Sequence, residues 1–330
     1  MGVRRPGPDP GVLPRALLPF VWEHGSSRGG YWRAHPAFVD AHTHVGDSVA
    51  KDAAVGVGLE RAVVPPDSLK HRQLRAASRE ESVAAMRDTM RFMRATGTAA
   101  FLDFREFGRR GAALLREAAA DRPVEAIVFG SDEPAVLEIA DGYGASGATD
   151  RDFTVERAAT REAGKPFAIH AGEPDATDIH PALDLEPDLL VHMVHATDEH
   201  LSRVEKRGVP VVACPRVNAT LGVGRAPLRS LLAATTVALG TDNAMLNEPS
   251  MYREMAHTVR EFDVTPREVL GMATRAGAEI ADLNCGVIEP GRDAALVVLD
   301  GDSPNLSGTA DPLASVVRRA GVGDVECVLL

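Results

Sequence analysis

Cysteine is scarce in this chain: Cys214, Cys285 and Cys327 are the only three in 330 residues. No two of them stand at the short spacing of a zinc ribbon or a disulfide framework, so a reducing, cytoplasmic setting is expected. Long apolar runs are missing as well. The weakly apolar stretch near Met1 is broken by Pro14, Arg15 and Pro19 before a signal-peptide core forms. No later run approaches the ~18 consecutive apolar residues of a membrane span. Positive charge is in deficit, with 36 Lys and Arg against 47 Asp and Glu and a formal net charge of -11. That balance argues against non-specific binding to nucleic acid and leaves free bases and nucleosides open as substrates.

A hydrophobic content of 45% supports a full core, and 330 residues hold one large domain of roughly 250 residues with appendages. From residue 36 onward, apolar strand-like runs alternate with amphipathic stretches. Strands are expected at 37–41, 98–103, 124–129, 142–145, 167–170, 189–192, 209–213 and 236–239. Helices are expected between them at 78–96, 106–120, 154–163, 197–207 and 226–234. Regular alternation with eight strands predicts an α/β fold, a (β/α)8 TIM barrel. Functional residues then belong at the C-terminal ends of the strands.

Six residues meet that condition. In Phe38-Val-Asp-Ala-His42-Thr-His44 the two histidines lie two apart on an extended strand, so both side chains reach one side and one metal ion. A lone His-x-His is weak evidence, but His170 ends the run Pro166-Phe-Ala-Ile-His, and His192 and Asp242 end two further apolar runs. An aspartate at a buried strand end is costly without a cation or donor, although capping the next helix would also explain it. Glu173, three residues past His170, falls in the following loop and is free to handle protons. Zinc-dependent deaminases of nucleobases use a non-ligand glutamate in this way. His24, His35, His180, His200 and His257 fall outside this register and are assigned no role.

The segment from Gly46 to Ala77 is too long for an ordinary βα loop and reads as a lid or binding element. Within it Lys70 and His71 are candidate substrate contacts, with solvated charge as the competing reading. Arg105 and Glu106 after the second strand, Ser146 after the fourth and Asn218 after the seventh are placed near the pocket mouth. A helix start for Glu106 and a turn for Asn218 are the alternatives.

These motifs together resemble the amidohydrolase superfamily, in its branch of cytosine, guanine and S-adenosylhomocysteine deaminases and triazine chlorohydrolases. The matching segments are the His-x-His strand, His170-Ala-Gly-Glu173, Leu190-Val-His192, Cys214-Pro-Arg-Val-Asn218 and Leu239-Gly-Thr-Asp242. The resemblance implies that His42, His44, His170 and Asp242 bind one divalent ion, Zn²⁺ first, with Fe²⁺ or Mn²⁺ as alternatives. His192 would hydrogen-bond a metal-bound hydroxide, with His195 as its rival, and Glu173, His192 and Asp242 would be catalytic. Two-metal relatives carry a lysine at the end of strand four. Here that region reads Asp141-Gly-Tyr-Gly-Ala-Ser-Gly, which implies a mononuclear site.

The segment Gly286-Val-Ile-Glu-Pro-Gly-Arg-Asp resembles the return of such chains to a small β-sandwich. Residues 1–35 lack the strand pattern that relatives show there. The expected organisation is therefore an N-terminal segment 1–35 with the sandwich reduced or absent, a barrel 36–283, and a partial sandwich 284–330. The implied reaction is hydrolytic deamination of an amino-substituted heterocycle, with chlorohydrolysis or opening of a cyclic amide or urea as the alternative. A small-molecule heterocycle is the expected partner, without nucleic acid or membrane, and homo-oligomer formation stays open.

Overall fold

The computed structural model describes residues 22–25 and 31–330, and expectations for 1–21 and 26–30 lie outside the described residues. Thirteen strands occur in them: β1 (Trp22–Gly25), β2 (Tyr31–Pro36), β3 (Phe38–His44), β4 (Thr98–Arg105), β5 (Glu125–Gly130), β6 (Gly142–Ala145), β7 (Phe167–Ala171), β8 (Leu189–His192), β9 (Val211–Ala213), β10 (Val237–Leu239), β11 (Asp242–Asn243), β12 (Leu296–Asp300) and β13 (Val325–Leu329).

Strands β3 to β10 pair in chain order, all parallel, and β11 pairs in parallel with β3. Only Gly240 and Thr241 separate β10 from β11. One interrupted strand therefore bonds to β9 by its first half and to β3 by its second, and this closes the eight-stranded barrel. The closure is clasped by Asp40, whose carboxylate accepts from the Thr241 amide at 2.9 Å and from its hydroxyl at 2.5 Å. Every residue of β3 is buried, as a parallel strand covered on both faces requires.

The helices follow the same logic. Ser78 opens the helix Arg79–Ala95 with a capping box to Glu81. Val83, Met86, Met90 and Met93, spaced at three and four residues, form its buried face. Residues 46–77 carry structure of their own, with a 3-10 turn Val45–Ala50 and helices Leu59–Ala62 and Leu69–Ala76. No helix among the described residues is long and apolar enough to cross a membrane.

The chain ends meet in a small antiparallel sheet of order β1-β2-β12-β13. Strands thus occur in the region before residue 36 that carried no strand pattern. The reason is long-range: β2 is completed by β12 from the far end of the chain, Val297 opposite His35.

Candidate metal centre

The barrel strands deliver their terminal side chains into one cavity of about 620 Å³. His44 enters from β3, His170 from β7, His192 from β8 and Asp242 from β11, while His42 of β3 lies beneath them, fully buried. Ligand atoms of His42, His44 and His170 lie within 4.8 Å of one another, as do those of His42, His192 and Asp242. Asp242 Oδ1 is 3.4 Å from His42 Nε2 and 3.6 Å from His44 Nε2. Donors bound at 2.0–2.1 Å to a tetrahedral ion stand about 3.3 Å apart, so these spacings suit a shared cation.

The residues present fit such an ion on a second ground. His42 is fully buried, yet neither of its ring nitrogens has a hydrogen-bond partner, an arrangement that is costly unless something else uses a lone pair. Burial pushes His42 down to about 4, which keeps the imidazole neutral and ligand-competent. Burial and the neighbouring imidazoles hold His170 well below its ordinary value. Its Nδ1 lies 2.8 Å from the Ala145 carbonyl, which places the proton there and frees Nε2. Burial would raise Asp242, but the imidazoles of His42, His192 and His44 outweigh it and keep the carboxylate ionised. Phe104 closes one side, meeting the His42 and His170 rings at 4.4 and 5.3 Å.

Local backbone geometry sets the remaining pieces. Gly172 has φ +66°, and a Cβ there would fall 2.6 Å from Ile179 Cδ1, so any other residue would strain this turn. Its amide is held by Asp178 Oδ1 at 2.7 Å. The turn directs Glu173 over the ligand cluster, where Oε2 is 3.7 Å from His192 Nε2. Burial raises the Glu173 pKa, countered in part by His192. His192 and Asp242 both adopt left-handed φ values, 75° and 60°. Such strain is tolerated where surrounding contacts fix it.

His195 lies past the end of β8 with Nε2 2.9 Å from the Val223 carbonyl, and it does not line the cavity. Asn218 sits behind His192, with Nδ2 3.3 Å from Nδ1, and is also absent from the cavity wall. Lys70, His71 and Arg105 do line it. The charges of Lys70 and Arg105 are committed to neighbours: Lys70 to Asp47 and Glu106, Arg105 to Asp47, Asp103 and Glu106. His71 packs its Nδ1 2.7 Å from Ser68 Oγ and is pushed down to about 4 by burial and Lys70. Asp47 and Asp103 escaped the sequence reading, and Glu106 was placed at the mouth without a partner. Their signal, charged residues inside or beside an apolar strand, was present but not decisive.

A closed parallel barrel with a buried His/His/His/Asp cluster at its C-terminal mouth defines a metal-dependent hydrolase. The chain belongs to the amidohydrolase family, whose model matches residues 34–330. It is 36% identical over 321 residues to a putative aminohydrolase of Methanothermobacter thermautotrophicus, covering 86% of this chain and 82% of that one. A 5-methylthioadenosine/S-adenosylhomocysteine deaminase of Halobacterium salinarum is 32% identical over 195 residues, 51% of this chain and 45% of that protein. Among solved structures, the atrazine chlorohydrolase TrzN of Arthrobacter aurescens TC1, complexed with zinc, has a TM-score of 0.76 at 18% identity. The match covers 90% of this chain and 82% of that one.

Proposed function

We propose that this protein hydrolytically deaminates an unphosphorylated, amino-substituted heterocycle of nucleobase or nucleoside size. One observation carries the reading: the carboxylate of Glu173, largely shielded from solvent, lies 3.7 Å from His192 at the edge of the His/Asp cluster. Glu173 stands outside the proposed ligand set and lines the cavity, where its carboxylate can accept a proton and return it to a bound substrate.

His42, His44, His170 and Asp242 would hold one divalent ion, and zinc in the chlorohydrolase supports Zn²⁺. When bound, such an ion lowers the pKa of a water ligand toward ~7. Glu173 accepts a proton at its carboxylate and delivers it to the substrate ring nitrogen, then assists departure of ammonia. His192 holds its place through Asn218: an amide N–H donated to Nδ1 leaves the ring proton on Nε2, the nitrogen facing Glu173 and Asp242. An Nε2–H donates rather than ligates, which supports hydrogen bonding as the role of His192. The names of the aminohydrolase and deaminase relatives support the reaction type. A cavity of about 620 Å³ suits a nucleoside-sized molecule.

The test is release of ammonia by the zinc-loaded chain across purines, pyrimidines, pterins, adenosyl compounds and triazines, with chloride followed in parallel for chlorotriazines. Ammonia from at least one amino-heterocycle is expected. Chloride or ring-opened product in its place would overturn deamination while leaving the hydrolase.

A further inference from the structure

A second set of donors adjoins the first and shares His44 with it. His44, Asp47 and Glu106 bring ligand atoms within 4.8 Å of one another. That cage already contains a cation, the ammonium of Lys70. Its Nζ is 3.0 Å from Asp47 Oδ2 and contacts Glu106 Oε1, while His44 Nδ1, 3.1 Å away, stands beside it as a second donor to Glu106 and not as an acceptor. The side chains of Lys70 and Asp47 are 5% and 0% exposed, so this is an interior ion cluster and not a surface pair.

His44 belongs to both clusters. Its Nε2 faces Asp242, so lending that lone pair to an ion requires the proton to sit on Nδ1. The acceptor for that proton is Glu106 Oε1, 3.0 Å away. The same carboxylate is held in place by two cations, with Lys70 Nζ on Oε1 and Arg105 Nη2 on Oε2. Lys70 comes from the helix Leu69–Ala76 within the 46–77 insert, whereas Arg105 and Glu106 come from the end of β4 and the residue after it. The insert therefore reaches the ligand cluster through the Lys70 ammonium and through Asp47, which pairs with it.

We propose that the Lys70 ammonium is the resident cation of this second cage and positions Glu106 against His44, so that retention of the catalytic ion depends on a lysine of the insert. Lys70 is a positioning residue, acting through Glu106 and His44. Its ammonium fills the space that an ion held by His44, Asp47 and Glu106 would take. The inference rests on the metal site proposed above.

The test measures the rate at which zinc passes from the loaded full chain to a chromogenic chelator, for wild type, Lys70→Met, Glu106→Gln and the double variant. Removing a carboxylate that supports a ligating histidine typically costs about 10- to 100-fold in metal affinity. Each single variant should therefore release zinc faster by about that factor, and the double variant should be no faster than the singles. Lys70→Gln replaces Lys70→Met if the latter does not fold, judged by circular dichroism and melting. Wild-type release rates in the Lys70 variant would overturn the proposal, since methionine fills the same volume without charge. Additive effects in the double variant would overturn it too, because Lys70 would then act independently of Glu106. A wild-type chain that binds no divalent ion would instead sink the metal reading itself.

Discussion

Burial raises the pKa of both Glu173, which is largely shielded, and Glu254, which is fully enclosed, but their surroundings give them different tasks. Glu173 opens onto the cavity beside His192. Replacing it with glutamine keeps the shape and removes the proton acceptor, so turnover should fall by ~10²–10⁴ with zinc content unchanged. A fully active Glu173→Gln enzyme would exclude the shuttle. Glu254 is fully buried and pushed up to about 8 by burial, with Arg216 pulling the other way. A group whose folded pKa lies above its unfolded value binds more protons when folded. Its contribution to stability is complete below pH ~4 and is lost as pH rises through about 8. Glu254→Gln should flatten the decline in melting temperature between pH 5 and 9, and an unchanged slope would refute this. At this scale the sequence was legible where a residue ended an apolar run, as His42, His170 and Asp242 do. It was not legible for Lys70, whose partners Asp47 and Glu106 come from separate elements, or for Asn218, whose place behind His192 needs two strands side by side.

Elements were legible in proportion to how locally their ends are set. Gly142–Ala145 and Leu189–His192 emerge with the limits expected from their apolar runs. The last barrel strand does not. The apolar pattern stops at Leu239, yet Asp242 and Asn243 resume pairing, now with β3. Nothing near residue 240 announces this, because the partner lies at the other end of the barrel domain. The interruption has its own requirement: a Cβ on Gly240 would lie 2.7 Å from His42 Cβ and 2.9 Å from its amide nitrogen and carbonyl oxygen. Those are backbone atoms of a closed barrel and cannot swing aside. Gly240→Ala should cost about 1–3 kcal/mol, the usual penalty for overpacking. It should also weaken zinc binding, since His42 and Asp242 flank the seam. Thermal melts with and without chelator would test both parts, and a variant that melts and binds like wild type would show that the seam is slack.

At the scale of the whole molecule, the deficit of positive charge acquires a location. Four side chains with permanent positive charge line the cavity, and each is engaged by a carboxylate: Lys70 by Asp47 and Glu106, Arg75 by Asp67, Arg105 by Asp47, Asp103 and Glu106, and Arg151 by Glu156. Among the described lining residues outside the proposed ligand set, Asp132, Asp150, Asp178 and Glu173 add carboxylates without an added cation. A phosphate entering this space would lose its hydration and meet carboxylates instead of a counterion, and like-charge contacts of that kind cost several kcal/mol. The proposed shuttle and ligands all sit at the inner end, so the penalty would fall on any substrate carrying a phosphate anywhere within the cavity. Once an active nucleoside is found, its 5′-monophosphate should therefore show a kcat/KM at least ~100-fold lower, equivalent to ~2.7 kcal/mol. The gap should narrow as ionic strength rises, to the extent that the responsible charges lie toward the open mouth. Equal turnover of the two would mean that one of the four paired cations exchanges its carboxylate for the substrate, and Arg75 and Arg151, each paired at 2.6 Å yet still 44% and 41% exposed, would be the first to replace.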